Sequence, residues 1–295
     1  TYYYKIADTL GLDPIAVMGK EFGLGAPTGI EVLAENSGIM PDEAYHDRVT
    51  PGGYARGMAL NSAIGQGDDN VTPLQLAMLY ATIANGGKVF RPQLVLRTER
   101  YDGERLESFA PALLRTVDMP PEHHKVVVDA LSAVVNEAGG TAYSQRLKDI
   151  KVAGKTGTAQ VARLGSVRLK THQMDFWLRD HAWFASFAPA ENPEIAVVVL
   201  NEHGGHGGSD AAPTAMAVIK KYFELKQADA APPQALAATE ASGAPDVRPV
   251  PGPSSGRPAG EPAPPPAPEL PSGEAPAAGA SPAGTADPAG FVGTP

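Results

Sequence analysis

The chain has 295 residues with 24 basic and 33 acidic side chains, a formal net charge of −9 and no cysteine. That balance argues against a nucleic-acid-binding surface, and the missing thiols exclude disulfides and thiolate metal sites. No run of about 18 apolar residues offers a transmembrane helix, and no basic-plus-apolar leader opens the chain.

Residues 1–10 read as a helix in which Tyr3 and Tyr4 share a face with Ile6, Ala7 and Leu10, stopped by Gly11. Asp13 is expected to cap a second helix that begins at Pro14 and runs through Ile15, Val17 and Met18 to Phe22. Gly23 and Gly25 then turn the chain into residues 26–58, where prolines and glycines recur among apolar residues and predict an irregular but structured excursion. The next helix has the clearest signals. Thr72 is its cap, Pro73 its first residue and Asn85-Gly86-Gly87 its end. No charge falls between Leu74 and Ala84, so this helix is expected to be buried on nearly all faces and to support the domain from within.

Residues 89–97, broken by Pro92, suggest an edge strand or an extended connector. Residues 121–138 predict a helix with Val126, Val127, Ala130, Leu131, Val134 and Val135 on its core side. Three strands are expected at 150–161, 182–188 and 194–201, the last two joined by the turn sequence P-A-E-N-P. They predict an antiparallel sheet with the first strand on its outer side, closed by a helix over 211–226. Beyond lies an Ala/Pro-rich stretch with 17 of the 29 prolines, seven acidic residues and two basic ones. Such a composition buries too little apolar surface to offset the entropy of ordering. The expected organisation is a globular part over 1–227 and a disordered tail over 228–295, in the α+β class.

The stretch Val152 to Gln160, V-A-G-K-T-G-T-A-Q, carries the chemistry. Lys155, Thr156 and Gly157 offer an ammonium, a hydroxyl and a gap on one strand, which suits an extended substrate with a carboxylate, and glycine lets a peptide approach the backbone. Other candidates have plainer readings. His203 and His206 stand among glycines that fix no metal geometry, so no metal and no cofactor is expected, and their loop is placed near the substrate groove. His123 and His124 are read as solvated, and Asp68-Asp69 as favouring the positive end of the following helix. Trp183 and Phe184 are read as core, and His181 as bonding to backbone. The bases of residues 163–180 would rim the groove for acidic peptides or simply be solvated.

Several stretches together, F-G-L-G-A-P-T-G-I-E, G-Q-G with V-T-P-L-Q-L-A and A-N-G-G, G-K-T-G-T-A-Q, D-H-A-W-F-A-S-F-A-P and E-H-G-G-H-G-G, resemble the C-terminal part of the transpeptidase domain of class B penicillin-binding proteins, most closely those of cell elongation. The resemblance covers residues 1–226. It implies a penicillin-binding protein/serine β-lactamase-like fold and acyl transfer from the D-Ala-D-Ala end of a peptidoglycan stem peptide, with sensitivity to β-lactams. By the same resemblance Lys155 is catalytic, supplying positive field and a hydrogen bond, Thr156 binds the substrate carboxylate with Thr158 assisting, Gly157 leaves room for the peptide, and the Thr158 N–H is one of two oxyanion donors. It further implies the periplasmic face of the bacterial inner membrane, a membrane anchor upstream of Thr1, and a SEDS-type glycan polymerase of the elongation machinery as partner.

One departure qualifies this. The family's nucleophile is a serine three residues before a lysine, so that both side chains share a helical face. No lysine here has serine at that spacing, Ser144 and Lys148 missing by one, and no Ser-x-Asn occurs. The expectation is a partial domain that begins after the middle motif and is inactive alone. The alternatives are a truncated product or a non-catalytic binding module with the same fold and, fitting less well, a β-lactamase or β-lactam sensor.

Overall fold

The computed structural model describes residues 2–161 and 173–230. Helices α1 (Tyr2–Leu10), α2 (Asp13–Glu21), α3 (Glu43–Val49), α4 (Arg56–Ser62) and α5 (Pro73–Ala84) come first. They are followed by short strands β1 (Lys88–Phe90), β2 (Arg97–Glu99), β3 (Arg105–Ser108) and β4 (Leu113–Thr116). Helix α6 (Pro121–Asn136) leads into β5 (Ala153–Ala159), β6 (His181–Ala188) and β7 (Ile195–Asn201), and α7 (Ala212–Ala230) closes the sequence of elements. Among the described residues no helix is long and apolar enough to cross a membrane.

Strands β5, β6 and β7 form an antiparallel sheet in that order, with β5 at the edge as expected. Alternation along the strands sends side chains to two different cores. On one face Ala153, Ala185 and Phe187 meet Tyr80 and Ile83 of α5, with Val128 and Leu131 of α6. On the other, Ala182, Phe184 and Val197 meet Ala212, Ala215, Met216 and Ile219 of α7. The central strand β6 is therefore covered on both sides, and even its Ser186 is fully buried, donating to the Val197 carbonyl at 3.0 Å. Phe184 and Phe187 are both fully buried. Each contributes about 2 kcal/mol of transfer free energy.

Helix α5 begins as its sequence predicts. The Thr72 hydroxyl accepts the Gln75 N–H, and the Gln75 side chain accepts the Thr72 N–H in return. Gln75 is 1% exposed, and its amide donates to the Ala26 and Ser37 carbonyls at 2.7 Å each. A residue in the helix's first turn thus fastens the irregular excursion to the sheet's support.

Other expectations are corrected. Asp13 does not cap α2, whose preceding residue is Leu12; its carboxylate accepts the Glu43 N–H at 2.9 Å and so serves the first turn of α3. The excursion over 26–58 contains α3 and the start of α4. In α6, Val126 and Val127 are 67% and 40% exposed, and the residues packed on the cores are Val128, Leu131, Val134 and Val135. Helical spacing explains the difference: 128, 131 and 135 follow one stripe, which leaves Val126 on the far side and Val127 at the stripe's margin. Tyr2, Tyr3 and Tyr4 stand exposed on α1, where Ala7 alone is buried. The connector at 89–97 becomes two separate strands, β1 pairing with β4 and β2 with β3. Helix α7 extends to Ala230, past the predicted end at 226; the rest of the expected disordered tail, and most of the basic segment after the motif strand, lie outside the described residues.

Candidate substrate-binding edge

The motif occupies β5. Its pairing with β6 runs without a shift from Ala153 opposite Phe187 to Ala159 opposite His181, placing Lys155 against Ala185, Thr156 against Phe184, Gly157 against Trp183 and Thr158 against Ala182. Three tertiary ties hold the strand. At its start the Asn136 amide, from the end of α6, donates to the Val152 carbonyl at 2.9 Å. In its middle the hydroxyls of Thr141 and Thr156 stand 2.8 Å apart. Near its end the Gln66 amide donates to the Thr158 carbonyl at 2.8 Å.

The last tie fixes orientation. In a strand, a residue's N–H and C=O point to the same side, and the two directions alternate along the chain. A Thr158 carbonyl that meets Gln66 from outside the β5–β6 ladder puts the Thr158 N–H on the open edge as well. The Thr156 carbonyl behaves alike, accepting from the Lys155 ammonium at 2.9 Å. Thr156 and Thr158 thus present backbone groups to the open edge, while Lys155 and Gly157 pair inward with β6.

The Lys155 ammonium also lies 3.4 Å from the Thr156 hydroxyl. Although the residue reaches the surface, enough protein packs around its charge to lower its pKa below that of an ordinary lysine, through desolvation. A partly desolvated cation next to a hydroxyl makes a favourable seat for an anionic group and a strong source of field.

A cleft of about 410 Å³ is lined by Thr156 and Thr158 together with Thr141, Ser144, His206 and Ser209. Gly207 and Gly208, from the helical turn Gly207–Ala211 that leads into α7, line it as well. Gly207 lies against the backbone of Gly157 and Trp183, so the glycine-rich loop read as neighbouring the groove does adjoin the motif strand. A larger cleft, about 550 Å³, lies near the β6–β7 turn; Lys151 and Glu191, which pair at 2.9 Å, are part of its solvated wall. It holds none of the motif's side chains.

The histidines take structural places. His181 Nδ1 accepts the His203 N–H at 2.9 Å, the backbone role expected for it. The His203 ring packs with Phe176, Trp177 and His181 at centroid distances of 5.0, 5.4 and 4.6 Å. His124 is not simply solvated, since its Nε2 lies 2.7 Å from the Ile83 carbonyl. Asp69 does not serve the start of α5; the Ser62 hydroxyl binds its carboxylate at 2.9 and 3.0 Å, and burial pushes its pKa up to about 6. No group of three or more metal-ligating side chains occurs among the described residues. Sequence reasoning missed Gln66 and Thr141 as neighbours of the site. The glycines flanking Gln66 were the available signal, because they mark a tight turn that carries a single side chain.

Over residues 1–220 the chain matches the family model described as the penicillin binding protein transpeptidase domain. Among curated proteins it is 35% identical over 232 residues to the peptidoglycan D,D-transpeptidase MrdA of Haemophilus influenzae, covering 77% of this chain and 35% of that protein. Among solved structures it is similar to penicillin-binding protein 2 of Pseudomonas aeruginosa, in complex with WCK 5153, with a TM-score of 0.59 and 33% identity over 75% of this chain and 44% of that one. It is also similar to penicillin-binding protein 2 of Helicobacter pylori in complex with MreC, with a TM-score of 0.63 and 29% identity over 77% and 38%. The chain spans about a third of the length of the curated relatives it matches.

Proposed function

We propose, since the chain belongs to the penicillin-binding protein transpeptidase family, that its β5 edge is the substrate-binding wall of a peptidoglycan D,D-transpeptidase. One observation carries the reading: a partly desolvated ammonium, a hydroxyl beside it and an outward backbone N–H lie within four residues of one open strand edge. A stem peptide ending in D-Ala-D-Ala matches these groups. Its terminal carboxylate is held by Thr156 with help from Thr158, and Lys155 supplies the opposing charge. Gly157 leaves room for the peptide backbone.

In the reaction, a serine hydroxyl adds to the penultimate carbonyl carbon, and the resulting oxyanion takes the Thr158 N–H as one of its donors. The terminal D-Ala leaves with a proton on its nitrogen, and an amine of a neighbouring strand releases the acyl group. These residues include no serine three positions before a lysine, so they hold the substrate without attacking it. β-Lactams, as mimics of the D-Ala-D-Ala end, are proposed to use the same edge. We place the working protein on the periplasmic face of the inner membrane, with the cell-elongation machinery and its SEDS-type polymerase as partners.

Titration with diacetyl-Lys-D-Ala-D-Ala, followed by NMR, tests the wall. The amides of residues 155–158 should shift with the D,D peptide and not with its L,L counterpart, and Thr156→Val should weaken the response. Equal responses to both peptides would remove the proposal. Fluorescent penicillin tests the chemistry separately, since a denaturation-resistant label on this polypeptide alone would show that it does supply a nucleophile. A second reading, a binding module of the same fold, rests on the same missing serine spacing and predicts D,D-peptide binding with no turnover in any context.

A further inference from the structure

The turn between α4 and α5 is built around one side chain. Gly65 and Gly67 adopt φ of 70° and 88°, a region that side chains rarely enter, and so allow a tight reversal with Gln66 between them. The reversal is fastened from several sides. The Gln66 N–H bonds to the Asn61 carbonyl at 3.0 Å, and the buried Ser62 hydroxyl reaches the Asp69 carboxylate across the turn. Asn70 and Ile39 exchange two backbone hydrogen bonds of 2.6 and 2.9 Å. Gln66 itself is half-buried, and its amide crosses 92 positions of sequence to reach the Thr158 carbonyl.

Thr158 is the last residue but one of an edge strand. Strand ends fray, and beyond Ala159 the β5–β6 pairing stops. The Thr158 N–H and C=O both hang on that residue's φ and ψ, so a bond to the carbonyl also aims the N–H. We infer that Gln66 is a positioning residue for acyl transfer: by holding the Thr158 carbonyl from a braced turn, it fixes the direction of the Thr158 N–H at the open edge. This rests on the proposed use of that N–H as an oxyanion donor. Its effect is preorganisation, because a donor already aimed needs no reordering when charge develops on the substrate oxygen.

The test uses the full chain and two variants that keep the side chain's length but not its donor, Gln66→Met and Gln66→Glu, alongside Thr156→Val. The backbone order parameter at Thr158 should fall in both Gln66 variants from about 0.85 toward 0.6, with Gly157 unchanged because it pairs with β6. Affinity for diacetyl-Lys-D-Ala-D-Ala should fall by up to about tenfold, the range of one hydrogen bond. Thr156→Val should weaken the peptide without altering order at Thr158. Unchanged order at Thr158 in both variants overturns the inference, and so does lost order with undiminished affinity, which would leave Gln66 a purely structural tie. If the wild-type chain binds no D,D peptide, the wall reading fails by itself, and the order parameter still decides whether Gln66 aims Thr158.

Discussion

Replacing Gly207 with alanine should loosen the site strand from behind. Gly207 is buried in the turn before α7, and an added Cβ would overlap the Trp183 carbonyl oxygen and stand 2.6 and 2.9 Å from the Gly157 oxygen and nitrogen. A carbon needs about 3.5 Å from such atoms, so turn and strand must part by more than an ångström. Neither yields easily. Gly157 and Trp183 are register partners in the β5–β6 ladder, and the turn runs into Ala211, Ala212 and Ala215, all fully buried. Overpacking of this kind costs about 1–3 kcal/mol. Alanine recovers about 0.4–1 kcal/mol by reducing the freedom of the unfolded chain, leaving a net loss of about 1–2 kcal/mol. For a domain of this size that lowers Tm by roughly 2–8 °C.

Gly57 is the control. It lies in α4 with nothing within 4 Å of a built Cβ, so Gly57→Ala should stabilise by up to about 1 kcal/mol through helix propensity. Urea denaturation of the two variants beside wild type reads both signs. If Gly207→Ala is as stable as wild type, the close approach of turn and strand is not what fixes β5, and the reasoning fails.

Gln75→Leu removes the donors of the Ala26 and Ser37 carbonyls and the acceptor of the Thr72 N–H. Stranding these groups should lower stability by about 3 kcal/mol, and a loss under about 1 kcal/mol by urea denaturation would refute their dependence on this side chain. Asp69, with Ser62 on its carboxylate and Asp68 and His46 nearby, gives a pH signature. Its folded pKa is raised to about 6 from 3.8, so the folded state holds this proton more tightly than the unfolded chain. That contribution is present near pH 4 and is lost as pH climbs through 6. A gap of this size is worth up to about 3 kcal/mol, which partial exposure reduces to roughly 1–2 kcal/mol; wild type should gain that much over Asp69→Asn between pH 7 and pH 4.5, and parallel pH profiles would contradict it. Lys155→Met exchanges a partly desolvated charge for an apolar side chain of similar size. It should melt no lower than wild type yet lose its response to the D,D peptide, and a peptide response that survives would remove Lys155 from the site.

The elements with strong local signals were legible. Thr72, Pro73 and Gly86-Gly87 bounded α5 because caps and breakers act within a few residues of themselves. The β-branched run of β7 and the turn after β6 gave the hairpin for the same reason, and the motif gave the strand at its edge. Long-range partners were not legible. Asp13 looks like a cap for its own helix, and only the fold brings the Glu43 N–H to it. Val126 and Val127 look as apolar as Val128, and the neighbouring α5 and β5 decide which way α6 turns. Gln66 and Thr158 are 92 positions apart, and no periodicity relates them. At the candidate site, sequence supplied the motif strand, and tertiary structure supplied the side chains of Gln66, Asn136 and Thr141 that tie it in place.

Putting the motif at the margin of its sheet means that, on the proposed reading, a bound peptide joins β5 as a temporary further strand. The same open edge would accept any extended chain, another copy included. The two side chains nearest the exposed carbonyls answer this. The Lys155 ammonium occupies the Thr156 carbonyl and the Gln66 amide the Thr158 carbonyl, so an incoming strand meets both carbonyls already bonded. A peptide that brings a carboxylate offers the ammonium a replacement partner, whereas a neutral strand does not. Lys155, at the proposed site, and Gln66, which holds its strand, therefore also keep the edge from joining with the wrong partner.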